Sequence, residues 1–222
     1  LGGLAGDANT TASNNTAVGY ESFSANTTGT ANTALGTFSA KLNTTGNYNV
    51  ALGYASLEAN TTGANNTSIG FRSLDANTTA SNNTAVGYNA LTANTTGHSN
   101  TASGVNALLL NTTGAGNQAF GNNALTANTT GSSNVAVGYN SQVLVTTGAQ
   151  NTSLGAYALQ TTTTGTHNIG VGYNAISTTA TADGQCTLGN GDISDLRCND
   201  QSISALSDSR DKTDVIDSPY GL

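Results

Sequence analysis

Asn15-Thr16-Ala17-Val18-Gly19-Tyr20 and Asn26-Thr27-Thr28-Gly29 are the two segments that decide the fold, because both return every 17 residues along the chain. The first Asn recurs without insertion or deletion, and a Gly stands four positions after it. The asparagines of this series are Asn15, Asn32, Asn49, Asn66, Asn83, Asn100, Asn117, Asn134, Asn151 and Asn168. The glycines are Gly19, Gly36, Gly53, Gly70, Gly87, Gly104, Gly121, Gly138, Gly155, Gly172 and Gly189. A strict period of this length predicts stacked repeats.

Each 17-residue unit has the composition of one turn of a coil. Thr16-Ala17-Val18 has strand character, and Asn-Thr-Thr-Gly is typical of turns, because Gly takes positive φ freely and Asn tolerates it. A helix is disfavoured because every unit contains Gly and lacks apolar residues spaced three to four positions apart. We expect two short strands and two turns per unit. The prediction is an all-β parallel β-solenoid (β-roll) of about twelve 17-residue rungs.

The predicted domains follow the change in composition near residue 183. Residues 1–184 form the repeat shaft, 185–206 a terminal rung with an acidic cap, and 207–222 a separate C-terminal segment. Only 8% of the chain is charged and 5% is aromatic, which cannot fill an ordinary globular core. No apolar run approaches the length of a membrane span, so membrane insertion is excluded. A formal net charge of −7 without a basic patch argues against nucleic acid as a partner.

The positions of the charges predict which faces are buried. With the repeated Asn as position zero, positions one to three carry no charge in any unit. Before residue 183, every charged residue lies at position six or nine: Asp7, Glu21, Lys41, Glu58, Arg72 and Asp75. A strand without charge on either face is expected to be buried on both. We expect the Val18 column to fill the coil and the Ala17 column to face another chain. Whether Tyr at position five or Leu at position eight points inward stays open.

A coil this thin offers few apolar side chains per rung and buries little surface alone. We therefore expect partners, and favour three chains around one axis as a homotrimeric fibre. The Asn column is interpreted as stacked amides that hydrogen-bond along the axis, although an Asn and Thr array could also contact glycans or ice. The Asn-x-Thr triplets match the N-glycosylation acceptor pattern, which we interpret as turn composition because sugar on every rung would crowd a packed fibre.

Residues with catalytic or metal-binding chemistry are sparse in the repeats. His98 and His167 fall in turns without a nearby carboxylate or Cys cluster, so neither a metal site nor a cofactor is predicted. Cys186 and Cys198 are interpreted as unpaired thiols, with pairing within or between chains as the alternative.

The C-terminal segment carries a more specific motif. Ser207-Asp208-Ser209-Arg210-Asp211-Lys212 and the later Gly221-Leu222 resemble the opening of the endosialidase-type intramolecular chaperone domain that ends many phage tail fibres and tailspikes. The resemblance implies a domain that assists trimer folding and then cuts the chain between Leu206 and Ser207, with Ser207 as nucleophile and Lys212 as candidate base. Asp211 departs from the Leu common in that family. Residues 207–222 cover only the start of the domain, so no conventional enzyme activity is expected, at most self-cleavage of a full-length precursor.

The repeat resembles a second family. Asn-Thr-Ala-Val-Gly is similar to the Ser-Val-Ala-Ile-Gly strand of trimeric autotransporter adhesin heads, which form left-handed parallel β-rolls in threes. This resemblance extends from residue 1 to about residue 190. Both resemblances imply a trimer on a surface that meets cells.

Together these observations predict a structural protein of a phage tail fibre, a rigid trimeric shaft used in host-cell attachment. Its expected partners are two further copies of itself, other virion tail proteins and a host surface glycan or protein receptor. The alternative is a bacterial trimeric adhesin or extracellular filament protein at the cell surface. An ice-binding β-solenoid is a third possibility, and it requires a flat exposed Thr face.

Overall fold

The computed structural model describes residues 2–193, which form an all-β parallel β-solenoid of about ten turns. One three-residue strand per turn contributes to a single eleven-stranded parallel sheet, in which the strands follow chain order. The strands are β1 (Thr16–Val18), β2 (Thr33–Leu35), β3 (Val50–Leu52), β4 (Thr67–Ile69), β5 (Thr84–Val86), β6 (Thr101–Ser103), β7 (Gln118–Phe120), β8 (Val135–Val137), β9 (Thr152–Leu154), β10 (Ile169–Val171) and β11 (Cys186–Leu188). Each strand pairs with the residues 17 positions further on, as Thr16 does with Thr33.

Two details of the predicted coil were wrong, the number of strands per turn and the number of rungs. After each of β1 to β9 and its Gly, positions six and eight adopt left-handed backbone conformations, with φ of 51° at Ala55 and 56° at Leu57. These residues bend the chain in successive tight turns, so the segment cannot form a second extended strand. Residues 2–15 stack on the first complete turn, where the Gly6 N–H donates to the Ser22 oxygen over 2.9 Å, but they contain none of the eleven strands.

The turns are joined by hydrogen bonds outside the sheet as well as within it. The Phe23 N–H donates to the Ser39 oxygen over 3.0 Å, and the Thr27 N–H donates to the Thr44 oxygen over 3.0 Å. Both partners lie about one turn further along the chain. Backbone groups at the turns therefore find partners in the neighbouring rung, as buried backbone requires.

The Gly at position four is required by backbone conformation and by the next turn. Gly53 has φ of 133°, a region that L side chains rarely adopt. A Cβ atom added to Gly53 would collide with the carbonyl oxygen of Gly70. The close approach of successive turns therefore excludes any larger residue here.

The coil interior is narrow and filled by Ala at position two, Ser at position seven and Leu at position eight. Ala102 and Leu91 have no exposed surface. At Gly170, where Ala usually stands, an added Cβ would come within 2.8 Å of the Leu159 Cγ atom. The Leu column therefore packs directly against position two, and only a small side chain fits between them.

This packing corrects the predicted orientation of the strands. The Ala column, expected to face another chain, points into the coil, whereas Leu35 and Leu154 of the Val and Leu column are 50% and 53% exposed. The reason is volume, because Leu at position eight already occupies the space that Val or Leu at position three would need. The same packing answers the open question about positions five and eight, since Leu91 is buried and Tyr88 is 51% exposed.

Two columns of buried Asn run along the interior. In the first column, at position zero, the Asn32 backbone N–H donates to Asn15 Oδ1 over 2.8 Å, and Asn32 Nδ2 donates to the Gly46 oxygen over 2.9 Å. In the second, at position eleven, Asn43 Nδ2 donates to Asn26 Oδ1 over 3.0 Å and to the same Gly46 oxygen over 3.1 Å. We call these columns the first and second Asn ladders. Each amide ties its turn to the one before it, in the first ladder as far as Asn168 and in the second as far as Asn128.

The second Asn ladder ends inside the coil. Its last member is Asn128, because Val145 occupies the next position eleven and offers no amide donor. Asn128 Oδ1 consequently has no hydrogen-bond partner. Gln142 replaces the usual Leu in the following turn, and its Oε1 atom is also buried without a partner. In residues 2–193, the buried side-chain atoms left unpartnered fall between Asn128 and Thr161, so the polar interior is least well satisfied there.

We predict that Asn94→Val lowers the free energy of unfolding by roughly 2–4 kcal/mol, because it leaves Asn77 Oδ1 without a donor and removes an acceptor from Asn111. Thermal or urea unfolding followed by circular dichroism measures the loss. The control is Asn122→Val. Asn122 is exposed, and the equivalent residue of the preceding turn, Val105, shows that the position accepts Val. An Asn94→Val protein as stable as the control would contradict a stabilising ladder.

Candidate interaction surface

The outward strand side chains form an uncharged surface along the whole sheet. We define the outer sheet face as positions one and three of each turn, the two strand residues that flank the buried position two. Position three is mostly apolar: Val18, Leu35, Leu52, Ile69, Val86, Ser103, Phe120, Val137, Leu154, Val171 and Leu188. None of the residues at positions one and three of β1–β11 is charged. Position one carries Thr in six strands, Gln in one and apolar residues in the rest. A mostly apolar column along the sheet, as at position three, indicates an interaction site.

Aromatic rings form a column beside this face. Ring centroids are 5.8 Å apart for Tyr20 and Phe38, 5.7 Å for Phe38 and Tyr54, 5.3 Å for Tyr54 and Phe71, and 5.2 Å for Phe71 and Tyr88. The last two pairs are nearly parallel, with interplanar angles of 11° and 8°. Both faces of Phe71 are therefore covered by its neighbours. Around Phe71 the column therefore offers ring edges to the outside, which suits apolar packing better than stacking a sugar on a ring face.

The charged side chains of the N-terminal turns lie off the outer sheet face. Lys41 Nζ lies 2.6 Å from Glu21 Oε2 and 4.8 Å from the centre of the Phe38 ring, and Arg72 forms a 2.6 Å ion pair with Asp75. The hydrogen bond from Lys41, followed by one from Tyr20, lowers the pKa of Glu21. Partial burial, and then the nearby Asp75 carboxylate, raises the pKa of Glu58. In these turns charge is thus confined to positions six and nine.

The other groups singled out in the sequence do not form a site within residues 2–193. His98 and His167 are exposed, and their rings hydrogen-bond only to the adjacent Ser99 and Thr166 hydroxyls. No group of three potential metal-ligating side chains occurs in this part of the chain. Cys186 is exposed in β11, whereas Cys198 lies outside the described residues, so their pairing stays open. The same residues include no helix long and apolar enough to span a bilayer.

The predicted site residues fall into three groups. The position-zero asparagines lie in the first Asn ladder, and the position-four glycines from Gly19 to Gly155 lie where the next turn is too close to admit a Cβ atom. The predicted nucleophile Ser207, the candidate base Lys212 and the bond Leu206–Ser207 lie outside the described residues. None of the three groups forms an active-site constellation in residues 2–193.

Sequence reasoning missed the outer sheet face and the second Asn ladder. The signal for the ladder was available, because Asn stands at position eleven from Asn26 to Asn128, but its turn-like context hid a buried role. The outer sheet face gave a weaker signal, since an uncharged Val and Leu column is equally consistent with an interior.

No known protein family, curated protein or solved structure matches this chain. The structure defines its class by fold alone, as an all-β parallel β-solenoid with turns of 17 residues.

We predict opposite effects of neutralising Glu58 and Glu21. The folded-state pKa of Glu58 lies above its usual value of about 4.3, so the ionised form weakens the fold at neutral pH, and Glu58→Gln should raise the unfolding midpoint. The gain should vanish as the pH falls below the unfolded-state pKa. Glu21 has a lowered pKa, so Glu21→Gln should lower the midpoint, and that loss should disappear on acidification through the folded-state pKa.

Thermal unfolding measured from about pH 7 downward through the carboxylate titration range follows both effects. A lower midpoint for Glu58→Gln at neutral pH would refute the argument for that carboxyl.

Proposed function

We propose that this chain is the shaft of a homotrimeric surface fibre, of the phage tail-fibre type, and that the outer sheet face is where its copies meet. The observation that carries the proposal is the column of outward side chains at position three, which is apolar in ten of the eleven strands from β1 to β11. A column left in water would not require Val, Leu, Ile or Phe in turn after turn. A repeating partner surface with the same spacing accounts for it.

The size of the face suits a stable interface. Ten rung spacings of about 4.8 Å give a length of about 50 Å, and the outer sheet face together with the adjacent positions four and five forms a strip about 13 Å wide. The flat area is therefore roughly 650 Å², similar to the ~800 Å² that each partner buries in a standard interface. The face is long and narrow, which fits parallel coils lying side by side. Three such faces around one axis enclose a triangular prism.

A partner also supplies what the narrow coil lacks. The interior consists of Ala, Ser, Asn and one Leu-sized side chain per turn, so apolar burial within one chain is small. Leu35, Val86 and Leu154 are between 37% and 53% exposed in the isolated chain. Covering this column by copies of the chain adds apolar burial in every turn.

The resemblances supply the biological setting. The repeat is similar to trimeric adhesin heads, and the segment from Ser207 to Lys212 resembles the start of a phage chaperone domain. A phage shaft accounts for both resemblances. In that setting the chain holds a receptor-binding tip away from the virion and partners other tail proteins and a host receptor. A bacterial adhesin or filament accounts for the repeat alone, and a membrane anchor in place of the chaperone domain would favour it.

An ice-binding role has less support. Position thirteen presents an exposed Thr in each turn from Thr28 to Thr164. The neighbouring position-twelve hydroxyls are used internally, as Thr44 Oγ1 donates to the Thr61 oxygen over 3.0 Å. Position one of the strands also carries Thr, but in only six of the eleven strands, because Val50, Gln118, Val135, Ile169 and Cys186 interrupt that column. Neither Thr column therefore extends into the flat, continuous Thr face that this role requires.

The interface prediction has a matched pair of variants. Leu154 and Leu144 are 53% and 51% exposed, but Leu154 lies on the outer sheet face and Leu144 lies at position ten. Leu154→Asp should convert a trimer to monomers, because like charges would be buried near the axis. Leu144→Asp should leave the trimer intact. Light scattering coupled to size exclusion measures the mass of each. A monomeric parent chain, or equal dissociation by both variants, would overturn the proposed interface.

A second prediction concerns the C-terminal motif, in a precursor that carries a complete chaperone domain. Ser207→Ala should abolish cleavage between Leu206 and Ser207, because the attacking hydroxyl is removed. Ser209→Ala is the matched control and should be cut normally. Denaturing gels and intact mass show the products. Normal cleavage of Ser207→Ala would exclude Ser207 as the nucleophile.

A further inference from the structure

The fold buries most of the N-glycosylation triplets that the sequence contains. Residues 2–193 contain thirteen Asn-x-Ser/Thr triplets, and in nine of them the Asn side chain is buried. The nine are Asn26, Asn43, Asn60, Asn66, Asn77, Asn94, Asn111, Asn128 and Asn151. Seven belong to the second Asn ladder and two to the first.

The acceptor nitrogens of these residues are part of the coil interior. Asn94 has no exposed surface, and its Nδ2 atom donates to Asn77 Oδ1 over 3.1 Å and to the Gly97 oxygen over 2.9 Å. An Asn-linked glycan would replace one of these two N–H groups by a bond to the sugar. The sugar would then have to occupy an interior that is already filled by side chains and backbone. A glycan on any of the nine is therefore incompatible with a closed turn.

Burial in the folded coil gives no protection before folding. Oligosaccharide transfer to Asn-x-Thr acts on accessible chain, and in the unfolded state all thirteen triplets are accessible. Asn-Thr-Thr recurs at 17-residue spacing, so a chain that meets the transferase before folding offers an acceptor in almost every turn. One modified ladder position would interrupt the stacking of its neighbours on both sides.

We propose that this chain folds in a cytosol, out of reach of Asn-linked oligosaccharide transfer, and that passage through a compartment where transfer occurs blocks its folding. The inference concerns one chain and does not depend on its oligomeric state. It is consistent with a virion protein made in a bacterial host. It argues against manufacture in a eukaryotic secretory pathway.

The molecule also contains built-in control sites. Asn9, Asn14, Asn65 and Asn82 head triplets of the same kind but have exposed side chains. A glycan at these positions can project into solvent. Transfer to these four should therefore be compatible with the folded coil, and they report whether the transferase acted.

A nine-substitution variant can remove the buried acceptors without changing any Asn. It carries Thr28→Ala, Thr45→Ala, Thr62→Ala, Thr79→Ala, Thr96→Ala, Thr113→Ala, Thr130→Ala, Ser68→Ala and Ser153→Ala. The seven threonines are exposed, and none of their hydroxyls bonds to another described residue. Ser68 and Ser153 stand at position two, where Ala is the usual residue. The four exposed triplets remain.

The experiment expresses the parent chain and this variant in eukaryotic cells, each with and without a secretory leader. Protease resistance and circular dichroism measure folding, and mass spectrometry after enzymatic glycan removal identifies each modified Asn. Both chains should fold in the cytosol. With the leader, the parent should carry glycans at buried positions and lose its protease-resistant core. The variant should carry glycans only at exposed positions and keep that core.

Three results would overturn the proposal. The first is a secreted parent chain that is protease-resistant with a glycan on any of the nine buried asparagines. The second is a secreted parent that is resistant with all nine unmodified, since folding would then precede transfer. The third is a variant that folds in the cytosol but loses its core on secretion, because the buried triplets would then not be the cause.

Discussion

The structure depends on the hydrogen bonds that buried Asn side chains make from one turn to the next. A coil of 17 residues encloses too little volume for a conventional apolar core, so much of its interior must be polar. Polar groups are tolerated there only when each finds a partner, and the amide is suited to this because it both donates and accepts. Asn43 illustrates the principle, with Nδ2 bonded to Asn26 Oδ1 and to the Gly46 oxygen. The period is strict because an inserted residue would break both ladders at once.

The remaining features follow from this narrow interior. Gly is required where successive backbones approach most closely, and Ala at position two leaves room for Leu at position eight. The larger strand side chains must then lie outside, which creates the outer sheet face. The same interior that holds the coil together thus determines the surface through which we propose it associates. It also removes nine of the Asn-x-Ser/Thr acceptors from solvent.

The periodic pattern was sufficient to predict the solenoid, the parallel stacking and the 17-residue turn, because spacing constrains backbone geometry directly. It was not sufficient to predict which side of the strand faces inward. Ala17 and Val18 alternate, and both columns exclude charge, so either assignment was consistent with the sequence. The decision comes from the left-handed conformations at positions such as Ala55 and Leu57, which direct the Leu column into the coil. Those conformations have no strong sequence signal, since Leu rarely adopts them. The C-terminal motif at Ser207 lies outside the described residues and stays a prediction.

Because successive turns are nearly identical, strands can pair in the wrong register during folding. A strand paired one whole turn out of place would keep most of its contacts, because Ala17 would meet at Ala51 the same side chain that it meets at Ala34. The energy difference between such slipped pairings and the native pairing comes mainly from turns whose residues differ from the consensus. The turn that carries Gln142 and Val145 is one of these. Asn128 Oδ1 and Gln142 Oε1 lack hydrogen-bond partners there, which lowers stability locally. The same irregular turn distinguishes the correct strand register from the slipped ones, because its side chains fit only their own place in the stack.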